Sequence, residues 1–94
     1  MFMNYESIIK PPSSQKLKSG RVRLSPGEDV GEHVTDKREE ILVVLKGTAT
    51  LMKGNETKKL KEGETHYIKE NIKHNVKNNT DSDLEYVYVV SLFE

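Results

Sequence analysis

The 94-residue chain has no cysteine, no tryptophan, only three prolines and no net charge. Without cysteine there can be no disulfide, no thiolate metal ligand and no cysteine nucleophile. Fifteen basic residues stand against fifteen acidic ones, so the charge balance argues against a nucleic-acid partner. No apolar run is long enough to cross a membrane. The opening MFMNYESIIKPPSS lacks the basic start and apolar stretch of a signal peptide, so a cytoplasmic location is expected. Lys53, Lys58, Lys59 and Lys61 are interleaved with Glu56 and Glu62, which suits a solvated strand face better than a binding patch.

Helix signals are also scarce. Phe2, Tyr5, Ile8 and Ile9 make a short i, i+3, i+4 pattern, and Lys10-Pro11-Pro12-Ser13-Ser14 then reads as an extended connector. Residues 1–16 are therefore expected to form an N-terminal arm, and residues 17–94 a single barrel domain.

What the chain does contain is a succession of short strand-like runs. GRVRL is followed by Pro26-Gly27, and EILVVLK by Gly47. The second run is apolar on both faces, which predicts a strand buried on both sides. TATLMK and ETKKLK flank Gly54-Asn55, the spacing of a tight hairpin. ETHYI, KHNVK and LEYVYVVSLF complete the series. Strands at this spacing predict an all-β, antiparallel sandwich or barrel. In the last strand Tyr86, Tyr88 and Val90 alternate with Val87, Val89 and Ser91. Two apolar faces on a terminal strand of so small a chain predict cover from a partner subunit, hence a homodimer.

Two stretches carry the chemistry. In the first, Gly27 is followed by His33-Val34-Thr35, Glu40 and Gly47; in the second, Gly63 is followed by Lys69-Glu70-Asn71, His74 and Asn78. Residues 33 and 35 share one face of an extended segment. These stretches resemble the paired motifs of the cupin superfamily, which carry a glycine, a His-x-His pair, a glutamate and a glycine, then a glycine, a Pro-x-Gly turn, a histidine and an asparagine. The likeness spans roughly residues 18–92. Three departures stand out. Thr35 occupies the place of the second histidine, Lys69 and Asn71 replace the proline and glycine of the turn, and the longer gap before the glutamate leaves Glu39 as a rival to Glu40. Asparagine tolerates the left-handed conformation such a turn requires. Glu40 is preferred because it keeps six residues before Gly47.

The resemblance implies a double-stranded β-helix, a jelly-roll barrel in which His33, Glu40 and His74 converge on one divalent metal ion. Two imidazoles and a carboxylate with open positions opposite suit non-haem Fe(II), and the same groups would take Mn, Zn or Ni. Thr35 could hydrogen-bond a metal-bound water or orient a neighbouring ligand. His66 is a second candidate: facing inward it could replace the missing histidine or act as an acid or base, and otherwise it is an ordinary half-buried histidine. The functions that follow are a metalloenzyme acting on a small polar molecule or a non-catalytic small-ligand-binding barrel without metal. A bare dimerising scaffold is the third. The fold by itself does not choose among them.

Overall fold

The computed structural model describes residues 3–93, so Met1, Phe2 and Glu94 lie outside the described residues. All regular structure among the described residues is β. The strands are β1 (Met3–Ile9), β2 (Leu17–Leu24), β3 (Arg38–Lys46), β4 (Ala49–Lys53), β5 (Glu56–Leu60), β6 (Thr65–Ile68), β7 (His74–Lys77) and β8 (Leu84–Leu92). They form a five-stranded sheet in the order β1-β2-β8-β3-β6 and a three-stranded sheet in the order β5-β4-β7. Every pairing is antiparallel. This is the double-stranded β-helix expected from the motif order.

Alternation along the strands builds the core between the two sheets. Val22 and Leu24 of β2, Leu42 and Val44 of β3, Leu51 of β4 and Leu84 and Tyr86 of β8 are all buried there. The expectation for β3 fails on one side. Its inner face is buried, but Ile41 and Leu45 on the outer face are 44% and 40% exposed. Val87 and Val89 of β8 are only half-buried. A single chain of this length has no third layer to lay over the large sheet, so its outer apolar face stays open.

The N-terminal segment differs from its helical spacing. Residues 3–9 form the edge strand β1, with Tyr5 opposite Val22 and Asn4 opposite Arg23. Pairing with β2 overrides a local pattern of only a few residues. The connector is likewise a turn rather than an extended link: residues 11–13 form it, the Pro11-Pro12 peptide is cis, and the chain reverses into β2. The predicted hairpin between β4 and β5 is present, with Lys53 opposite Glu56.

Between β2 and β3 the chain runs along the free edge of β7. Val30 N–H donates to the Val76 carbonyl, and His33 and His74 exchange two backbone hydrogen bonds of 2.9 Å. The start of this segment is tied down by Asn78, which is fully buried. Its amide donates to the carbonyls of Leu24 and Ser82, and its side-chain oxygen accepts from the Thr80 N–H and hydroxyl. Asn78, the last residue of the second motif, is thus a structural clamp. Gly47 ends β3 with φ +83°, and a Cβ there would stand 2.5 Å from the Asp83 carbonyl oxygen, so only glycine fits.

Candidate metal centre

The pleat of β3 separates the two rival glutamates. Glu39 turns to the outer face, where it accepts a 2.7 Å hydrogen bond from the Tyr67 hydroxyl. Glu40 turns inward and is 8% exposed. Across the barrel His74 opens β7, and the isolated bridge between His33 and His74 brings the two imidazoles edge to face at 4.3 Å between centroids. The turn before His74 holds Asn71 at φ +64°, the left-handed conformation that asparagine accepts in place of the family's glycine.

One ligand atom from each of His33, Glu40 and His74 lies within 4.8 Å of the others. Two ligands about 2.1 Å from one ion stand at most ~4.2 Å apart, and His74 Nε2 to Glu40 Oε1, at 3.4 Å, already meets that limit. The ring orientations favour the same reading. His33 Nδ1 contacts the Gly31 carbonyl at 2.9 Å and His74 Nδ1 the Ile72 carbonyl at 2.8 Å. A carbonyl can only accept, so each Nδ1 carries the proton and each Nε2 presents its lone pair to the cavity. His74 Nε2 is buried without a hydrogen-bond partner, with a Glu40 carboxylate oxygen 3.4 Å away. A buried, orphaned nitrogen beside a buried carboxylate and a second imidazole is a donor set that fits a divalent ion. No other such cluster of histidine and acidic side chains occurs among the described residues.

Burial disfavours the charged form of His74, but the Glu40 carboxylate and the Ile72 carbonyl outweigh it and hold its pKa above the ordinary 6.5. Burial above all, then the Glu40 charge, pushes the Tyr86 phenol well up, so this ring stays neutral beside the site.

The trio opens on a cavity of about 260 Å³. Thr35 lines it, and its hydroxyl is buried without a partner. Val22, Val30, Val76 and Val90 supply apolar wall, and Tyr5, Tyr86, Tyr88, Lys18 and Arg38 complete it. Spacing could not find these last residues, because they come from four separate strands. His66 is not on the wall. Its register opposite Leu42 turns it inward, yet its Nε2 accepts a 2.9 Å hydrogen bond from Lys53 Nζ. Burial and then the Lys53 and Lys58 charges lower its pKa, keeping it neutral and engaged away from the trio. Of the two readings of His66, the fold fits the ordinary half-buried histidine, here paired with a lysine.

Fold and cluster together define a small β-barrel with a two-histidine, one-carboxylate cavity. The chain belongs to the cupin family: the Cupin domain model matches residues 20–90. Among solved structures, a predicted oxalate decarboxylase from Thermotoga maritima superposes with a TM-score of 0.90 at 23% identity, covering 96% of this chain and 80% of that one. An RmlC-like cupin from Methanocaldococcus jannaschii gives 0.87 at 22%, covering 98% and 82%. KdgF from Halomonas sp. gives 0.83 at 16%, covering 95% and 77%. No curated protein matches the chain by sequence. At these identities the likeness is one of fold.

Proposed function

We propose that this cupin holds one divalent metal ion through His33, Glu40 and His74 and acts as a metalloenzyme on a small polar molecule. The observation that carries the reading is the buried, unpartnered Nε2 of His74, aimed at a buried carboxylate 3.4 Å away with its tautomer fixed from behind by the Ile72 carbonyl. When bound, an Fe, Mn, Zn or Ni ion would supply Lewis-acid or redox chemistry at an open face. The chain's own contribution is to fix both imidazoles, to line the cavity with valine side chains, and to offer the Thr35 hydroxyl as a hydrogen-bonding group.

Metal analysis of protein purified without a histidine tag tests this, comparing wild type with His74→Ala. One ion per chain in wild type, lost in the variant, is expected. Absence of metal after incubation with Fe²⁺, Mn²⁺, Zn²⁺ or Ni²⁺ would favour the second reading, a non-catalytic cupin that uses the same cavity to hold a small ligand. The loss of a histidine at Thr35 is the feature that supports this alternative.

A homodimer is part of the same proposal. Val89, Ile41 and Tyr67 stand in one register row on the outer face of the large sheet, with Ile41 44% and Tyr67 51% exposed. Val87 and Val43 form the next row. A second copy laid on this face would supply the layer that the chain lacks.

A further inference from the structure

Lys18 and Arg38 bring positive charge to the cavity without an acidic partner. Lys18 is paired with Val90, Val90 with Glu40, and Arg38 lies two residues before Glu40 on β3. Paired residues share a face, and so do residues two apart on a strand. All four side chains therefore project from the inner face of the large sheet, and all four line the cavity. The other arginines of the sheet are engaged elsewhere: Arg21 and Arg23 each contact Glu85 at 3.3 Å. No ion pair joins Lys18 or Arg38 to an acid among the described residues. Glu40 is the only carboxylate on the cavity wall among those residues, so two cations face one anion before any metal charge is counted.

The remaining wall narrows the ligand further. Tyr5 and Tyr88 stack, with ring centroids 6.1 Å apart, and their hydroxyls hydrogen-bond each other. Phenol hydroxyls and the Thr35 hydroxyl can donate to oxygen, while the valines accept a short carbon chain. The cavity volume of about 260 Å³ falls below the roughly 300–1,000 Å³ typical of drug-sized ligands, which suits a ligand of a few carbons. A neutral polyol would make only hydrogen bonds to neutral oxygen with the two cations, weaker than those a carboxylate accepts.

We propose that the cavity binds a small organic acid, a carboxylate of a few carbons whose anionic end sits between Lys18 and Arg38 while its other end reaches toward His33, Glu40 and His74. This inference rests on the reading of the cavity as the ligand site. Guanidinium and ammonium groups flanking a carboxylate make charge-assisted hydrogen bonds, stronger than those to neutral oxygen.

The test is calorimetric titration of malonate, succinate and glutarate, with succinamide as the uncharged control. Wild type, Lys18→Gln, Arg38→Gln and the double variant are each incubated with Zn²⁺, and zinc content is measured on the same samples. At least one of the three acids is expected to bind wild type, with affinity reduced about tenfold in each single variant, no binding of succinamide and unchanged zinc content. Zinc bound at one per chain with no acid binding above succinamide overturns the acid site and leaves the metal reading standing. Acid binding that survives in the double variant overturns it too. Acid binding lost in the double variant, in protein that takes up no zinc, supports the acid site and removes the metal. Folding of the variants is checked by circular dichroism and by their thermal midpoints.

Discussion

Tyr88 lies directly over Gly20. A Cβ placed on Gly20 would stand 2.7 Å from the Tyr88 hydroxyl oxygen and 2.9 Å from its ring carbons. The two residues are opposite each other in the β2–β8 pairing, so the bare backbone of β2 is what lets this ring lie across the sheet and reach Tyr5. Glycine inside a strand weakens the strand itself, and here it makes room for part of the cavity wall.

Gly20→Ala should therefore destabilise the protein by about 1–3 kcal/mol through overpacking, measured by urea denaturation. In the double variant with Tyr88→Ala most of that cost should vanish, because the clashing ring is gone. Strict additivity of the two substitutions would show that the contact does not govern the site.

The orphaned Thr35 hydroxyl gives a second prediction. Thr35→Val keeps the shape and removes a buried polar atom that has no partner, so metal-free protein should be unchanged or gain up to about 1 kcal/mol. A loss of 2 kcal/mol or more (~2, a desolvation-sized cost) would mean that the hydroxyl has a structural partner. Thr35→His should add an imidazole on the cavity side and tighten zinc binding, read by competition with a chelator.

His66 gives the pH prediction. Burial first, then Lys53, holds its pKa below 6.5 in the folded state. Between the two pKa values the unfolded chain binds more protons, so this site's contribution falls as pH drops through about 6.5 and levels off below the folded pKa. Lys53→Met removes one of the causes and should flatten that fall, and His66→Asn should abolish the site's share. Identical stability–pH slopes between pH 5 and 8 (about 1.5 units either side of the ordinary value) in all three proteins would refute the assignment.

The open outer face predicts the fourth outcome. Ile41→Lys puts a charge in the middle of the Val89–Ile41–Tyr67 row without touching the core. Sedimentation should report a dimer for wild type and a monomer for the variant. A wild-type monomer at micromolar concentration would remove the homodimer from the proposal.

Much of the site was legible through the resemblance to the cupin motifs, whose order of glycines, histidines and glutamate this chain shares. Glu40 is preferred over Glu39 by counting to Gly47, and in the fold Glu40 is buried while Glu39 bonds outward to Tyr67. The N-terminal strand was not legible, because β1 owes its form to β2 rather than to its own periodicity. His66 was ambiguous for a related reason. Its face follows from pairing with Leu42, but its partner Lys53 comes from the opposite sheet.

The sequence by itself determined the strand pattern and the Gly54-Asn55 hairpin, which depend on local alternation and turn residues, and its resemblance to the cupin motifs singled out His33, Glu40 and His74. Only the tertiary structure decided what surrounds that trio. Lys18, Arg38, Tyr5 and Tyr88 meet there because long-range register across β1, β2, β8 and β3 sets which side chains share the inner face. Register of that kind is fixed by burying one whole face of a sheet, not by any short stretch of chain.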